Sequence, residues 1–280
     1  MSMKECLRSA LPSSKLNKDR LETGRTASET QLVRRKRISW IDTLRGITVV
    51  SMFLYHGMWD LVNLYGINAP WYRSTPGYIW EQSICWTFIL IAGFCWSLDR
   101  HPLRRGLIVF GCGALVSIAT LLYSPDSPIL FGILTFIGTA SLLMIPFKKL
   151  LNRIPASAGL ALSFTAFVLL RNVNNHWFGF ESWRPLPVPS VLYQNLATTL
   201  IGFPGAGFYS SDYFALIPWI FLYLCGFFLY RIWKQNRDRI PFLQRDLPAG
   251  PFAEIGRHAL IIYLLHQPVL VLLLMLIMGR

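Results

Sequence analysis

The chain has 280 residues, of which 53% are hydrophobic and only 15% charged, with a mean hydropathy of +0.42. That balance is too apolar for a water-soluble domain and fits a polytopic helical membrane protein. A net charge of +13 raises the question of nucleic acid, but the basic residues gather at alternate connections, so loop charge accounts for it and no nucleic-acid partner is expected.

Residues 1–37 are polar and Ser-rich, with no apolar signal-peptide core, and read as a disordered cytoplasmic tail. Its cluster Arg34-Arg35-Lys36-Arg37 suits anionic headgroups. Residues 38–280 form the membrane domain. Seven apolar stretches are long enough to span: 44–62, 79–98, 105–123, 129–147, 156–171, 213–231 and 258–278. The expected fold is therefore all-α, a bundle of about seven transmembrane helices. A weaker stretch, 191–208, is broken by Gly202, Pro204, Gly205 and Gly207 and reads as re-entrant or interfacial. Taking alternate connections as cytoplasmic collects all of the 27 Lys and Arg except Arg73, Arg171, Arg184 and Arg280. The positive-inside rule then places the N-terminus inside and the C-terminus outside. The outer connections 63–78 and 172–212 are rich in Trp, Tyr and Pro, as interfacial anchors or as a platform over the outer mouth. Cys85, Cys95, Cys112 and Cys225 fall inside the spans and Cys6 in the tail, so no disulfide framework is expected. No metal-ligand spacing is present, and no metal is expected.

The first span carries the most chemistry. Between residues 42 and 60 it places Asp42, Arg45, His56 and Asp60 on one stripe of a helix. Charges inside a bilayer are costly, so this stripe should face protein or water. If Arg45 marks the cytoplasmic boundary, His56 lies about 16 Å further in, near the midplane. Arg257 marks the same boundary before the last span, and His266 lies about 13 Å beyond it. The plain alternative for each imidazole is a hydrogen-bonded core histidine, but their shared depth favours chemistry. A histidine near neutral pKa is a natural general base, and Asp60, one turn beyond His56, shares its face and is expected to orient its ring. His266 would be a second polar group near the acceptor. Glu81 and Gln82 open the second span from the outer side; Asp212 opens the sixth, followed by Trp219. For Glu81 and Asp212 the plain alternative is a favourable charge at a helix N-terminus. Arg45, Arg104, Arg105 and Arg257 are placed to hold a polyanion at the inner end, Arg45 foremost through its register with His56.

Ordered motifs carry a resemblance. Asp42-Thr43-Leu44-Arg45-Gly46 followed by His56 is similar to the Arg-x10-His arrangement of acyltransferase-3-type membrane enzymes. The wider set is Ile41 to Gly46, Phe131-Gly132-Ile133-Leu134, Asp212-Tyr213-Phe214 with Pro218-Trp219, Ile255-Gly256-Arg257-His258, and Tyr263-Leu264-Leu265-His266-Gln267-Pro268. It resembles the heparan-alpha-glucosaminide N-acetyltransferase catalytic-domain family across residues 38–270. The resemblance implies transfer of an acetyl or other acyl group from cytoplasmic acyl-CoA, with acetyl-CoA the expected donor substrate, to a carbohydrate or other envelope acceptor. His56 stands where the lysosomal enzyme has a catalytic asparagine, and the family's loop histidine has no counterpart between 57 and 100. Thr135 stands where bacterial relatives often carry histidine.

The expected assignment is His56 as base with Asp60 and His266 beside it, Arg45 and Arg257 toward the donor, and Glu81, Gln82, Asp212, Trp219 and Gln267 toward the acceptor. Gln267, Trp219 or Gln82 would donate to the oxyanion. Direct transfer and a ping-pong route through acyl-histidine are both compatible with the residues. Two other readings use the same features: a proton or solute transporter, and a non-catalytic membrane partner whose stripe serves packing. A bacterial cytoplasmic membrane is the expected location; oligomeric state is not encoded in any feature of the chain.

Overall fold

A computed structural model describes residues 38–237 and 250–279; the tail expected over 1–37 lies outside them. In chain order the long helices are α1 (Ser39–Asn63), α2 (Thr75–Trp96), α3 (Pro102–Tyr123), α4 (Ile133–Arg153) and α5 (Ala156–Leu170). A hairpin of β1 (Trp177–Phe180) and β2 (Trp183–Pro187) follows, then the short α6 (Leu196–Ile201), α7 (Leu216–Asn236), the two-turn α8 (Pro251–Arg257) and α9 (Ala259–Met278). The hairpin, antiparallel with Trp177 opposite Pro187, is the one departure from an all-α fold among the described residues.

Six helices are long and apolar enough to cross a membrane: α2, α3, α4, α5 with the turn after it, α7 and α9. The protein is an integral membrane protein. With 25 residues α1 has the length for a seventh crossing. Arg45, His56 and Asp60 along it keep its composition more polar than that of the six. The stretch 191–208 folds as a six-residue helix and loop, too short to span.

The start of the fourth span differs from the sequence expectation for a visible reason. The fourth helix starts at Ile133 rather than 129, because Phe131 turns into positive φ (55°) and the chain before it runs beside residues 210–214. There Ser210 Oγ accepts from the Leu130 amide and donates to the Leu130 carbonyl, both at 2.9 Å, and the Phe214 amide donates to the Phe131 carbonyl at 2.9 Å. The last span runs as expected from the break at His258, where α8 turns off α9 and packs on the first turns of α1.

In lipid, apolar side chains gain little from leaving one hydrocarbon surrounding for another, so close backbone approach has to do much of the helix packing. Glycines supply it here. A Cβ at Gly46 would overlap the Phe252 carbonyl, and one at Gly256 the Asp42 carbonyl, so α1 and α8 touch backbone to backbone. Gly93 and Gly226 do the same for α2 and α7. Between α2, α4, α5 and α7 lies the main core, with Ile89, Trp96, Phe136, Phe167, Tyr223 and Phe228 buried in it. Its polar atoms are paired: Trp96 Nε1 donates to the Ser141 carbonyl at 2.9 Å, and the hydroxyls of Ser141 and Tyr223 meet at 2.9 Å. Arg231 donates to the carbonyls of Leu151 and Ile154 at 2.8 Å each, closing the C-terminus of α4 with a cation.

Candidate active site

Packing of α8 against α1 brings Arg257 to Arg45, and the start of α3 adds Arg104 and Arg105 at the same end of the bundle. Arg45, Arg104, Arg105 and Arg257, with Asp99 and His101, line a cavity of about 460 Å³. Asp42 organises two of them: its Oδ1 lies 3.2 Å from Arg45 and its Oδ2 4.0 Å from Arg257, whose guanidinium also pairs with Glu254. Arg45 reaches further, donating to the Gly256 carbonyl at 3.5 Å and to Cys95 Sγ at 3.1 Å. Arg105 pairs with Asp99 at 3.6 Å, whereas Arg104 has no carboxylate partner among the described residues. The walls turn apolar away from the cations, through Phe88, Ile91, Ala92, Ile133, Leu134 and Leu260, and reach Tyr263. A polyanion with an apolar extension fits this polarity.

Tyr263 hands on to the histidines. Its ring lies 5.3 Å from that of His266, and the His266 ring meets that of His56 edge to face at 4.6 Å. The two imidazoles share a tautomer for one reason. Nδ1 of His56 lies 2.9 Å from the Met52 carbonyl, and Nδ1 of His266 faces the Tyr263 carbonyl. A carbonyl only accepts, so each Nδ1 carries the proton and each neutral ring leaves a lone pair on Nε2. Both rings are thus fixed by their own helices with the basic nitrogen free.

The carboxylates are placed differently from the sequence expectation. Asp60 is fully buried, but it does not hold His56: its Oδ1 accepts from Nε2 of Gln267 at 2.7 Å. The orienting partner of His56 is the Met52 carbonyl, because a helix offers its own i−4 oxygen at the reach of Nδ1. Gln267 is accordingly committed to Asp60 through its amide rather than free to donate to an oxyanion. Asp212 does sit at a helix N-terminus, but of α4 rather than of α7: its Oδ2 accepts from the Ile133 amide at 3.2 Å. Through that bond the Asp212-Tyr213-Phe214 and Phe131-Gly132-Ile133-Leu134 motifs form one unit beside the apolar wall of the cavity. Burial pushes the Asp212 carboxyl above its ordinary range.

The remaining residues sit at the hairpin end. Glu81 accepts from the Tyr55 hydroxyl at 3.1 Å, next to His56 in sequence, and the Tyr72 hydroxyl donates to the Tyr55 carbonyl at 3.4 Å. Gln82 Oε1 accepts from Arg171 at 3.0 Å and from Trp86 Nε1 at 3.1 Å. Trp219 is buried under the Arg171 guanidinium, 4.8 Å from its ring centre. Glu181, in the hairpin turn, accepts from the Tyr78 hydroxyl at 2.6 Å and lies 3.7 Å from Arg171. Arg171 thus ties the hairpin to α2 above Trp219.

Sequence reasoning quoted Tyr263 within a motif but gave it no role, and gave Asp99 and His101 none. The available signal was the Tyr263/His266 spacing, i,i+3 on one helix face.

The heparan-alpha-glucosaminide N-acetyltransferase catalytic family matches residues 37–268. No curated protein and no solved structure gives a significant match. The family match takes in α1, the basic cavity, both histidines and the paired motifs at the start of α4. The chain belongs to the heparan-alpha-glucosaminide N-acetyltransferase catalytic family and is a membrane acetyltransferase.

Proposed function

We propose that the protein transfers an acyl group, acetyl in the first instance, from acyl-CoA bound in the basic cavity to a hydroxyl or amine of a carbohydrate or other envelope acceptor reached from the hairpin end. In this reading α1 is a seventh crossing, the basic end is cytoplasmic, and the membrane is a bacterial cytoplasmic membrane. The observation that carries it is that Tyr263 lines the basic cavity and lies ring to ring with His266, whose ring in turn meets that of His56.

Arg45, Arg104, Arg105 and Arg257 neutralise the phosphates of the donor, Arg104 being free of any carboxylate among the described residues. The apolar wall from Phe88 to Leu260 covers the thiol arm, so that the thioester carbonyl arrives near Tyr263. His56 acts from the acceptor side. As the acceptor oxygen or nitrogen forms its bond to the acyl carbon, Nε2 of His56 takes its proton. The carbon–sulfur bond then breaks, and the proton passes to the departing thiolate, leaving free CoA and the acylated acceptor. In this reading His266, with its ring between those of Tyr263 and His56, stands toward the donor. The Tyr263 hydroxyl is the group at the cavity end able to donate to the developing oxyanion. Glu81, Gln82 and Asp212 stand toward the acceptor, with Trp219 buried beneath Arg171 behind them.

The test is calorimetric binding of acetyl-CoA to detergent-purified protein, wild type beside Arg45→Ala. Saturable binding weakened by the substitution supports the donor site. No binding by folded protein overturns it.

A further inference from the structure

Two buried oxygens at the pairing of α1 with α9 are left without partners. Asp60 is fully buried, and Nε2 of Gln267 donates to its Oδ1 at 2.7 Å. The second oxygen of each group, Oδ2 of Asp60 and Oε1 of Gln267, is also buried and meets no donor among the described residues. An ionised carboxylate only accepts, and so does an amide carbonyl, so these two atoms cannot satisfy each other. Turning the amide over does not help, since it exchanges one unmatched oxygen for another. Among the described residues no Lys or Arg pairs with Asp60. The titratable groups that face it are His56, one turn earlier on α1, and Tyr72 from the α1–α2 connection; His266 stands beside Gln267 on α9. A carboxylate in that setting would be a buried charge without a cation.

We propose that Asp60 is a neutral carboxylic acid whose Oδ2 proton is donated to Oε1 of Gln267, closing a cyclic acid–amide pair that locks α1 to α9. One proton converts both orphaned acceptors into a second hydrogen bond parallel to the first. The pair is a positioning device. Asp60 lies one turn beyond His56 and Gln267 directly follows His266, so the ring of hydrogen bonds sets the register in which the imidazoles meet. Being neutral, it places no anion one turn from His56 to compete for the proton that acyl transfer moves. This last consequence rests on the acyl-transfer reading; the protonation of Asp60 does not.

Infrared difference spectroscopy of the detergent-purified full chain tests it. Wild type should show a protonated-carboxyl C=O band above the amide region that shifts in D2O and is missing from Asp60→Asn. Gln267→Ala keeps the acid but removes its partner, and should move the band to higher frequency. Thermal unfolding and turnover give the second reading. Asp60→Ala and Gln267→Ala should lower the midpoint, the effect of one unsatisfied buried group, and cut turnover by roughly tenfold through the lost register of the imidazoles. Asp60→Asn, whose amide can supply both legs of the pair, should recover most of that loss. The proposal is overturned if Asp60→Asn removes no carboxyl band, if the band ignores Gln267→Ala, or if Asn is as damaging as Ala. Because the band does not depend on acyl transfer, its presence without acetyl-CoA turnover would count against the enzymatic reading alone.

Discussion

The imidazoles of His56 and His266, separated by most of the chain, meet edge to face with ring centres 4.6 Å apart. Each is tied through Nδ1 to a carbonyl of its own helix, so both present Nε2 and neither needs the other to fix its tautomer. A pair built in this way is suited to relaying a proton between a donor cavity on one side and an acceptor on the other. It also makes the roles separable by mutation.

His56→Ala is expected to reduce transfer by about 10²–10⁴-fold, the usual contribution of a general base, with the thermal midpoint close to wild type. His56 is only partly buried and its one polar bond is to its own helix, which is why the fold should survive. Full turnover by this variant would remove His56 from the base role.

Arg45→Ala should weaken acetyl-CoA binding by about tenfold, which corresponds to about 1.4 kcal/mol, with turnover at saturating donor less affected. Arg104→Ala should flatten the dependence of donor affinity on salt, since Arg104 has no carboxylate partner among the described residues and lines the cavity. Titrations over a range of ionic strength separate the two effects. Unchanged affinity in both variants would show that the basic cavity is not the donor site.

Gly46→Ala tests the contact that builds that cavity. The added methyl would collide with the Phe252 carbonyl, backbone that cannot rotate away, and α8 must then move off α1. A loss of about 1–3 kcal/mol is expected, the usual penalty of overpacking, together with weaker donor binding because Arg257 moves with α8. Gly57→Ala is the control, since its Cβ would meet only a Leu270 methyl at 3.4 Å, and should cost little.

Asp212 predicts a pH effect. Its carboxyl lies outside the candidate spans, and burial raises it above the ordinary value of 3.8. Folded protein therefore binds more protons there than unfolded protein does. The stability it contributes is fully present below 3.8 and is lost as pH rises through the raised value. Midpoints measured from acid to neutral pH should fall less steeply in Asp212→Asn than in wild type. Identical slopes would mean that Asp212 does not titrate in the folded protein.

Hydropathy and charge alone located the membrane helices, the basic connections and the stripe on α1, because span length and the cost of buried charge are local properties of a segment. The ordered motifs by themselves carry the likeness to the family. Periodicity also brought His56 and His266 to one depth, since rise per residue is fixed. What a helix period supplies is a face, not the neighbour that the face will meet. That Asp60 pairs with Gln267 instead of His56, that Asp212 caps α4 instead of α7, and that Tyr263 ends the cavity all depend on which helices touch and in what register. Those choices are made by glycine contacts such as Gly46 with α8, where backbones approach until their carbonyls decide the crossing, and only the tertiary structure contains them.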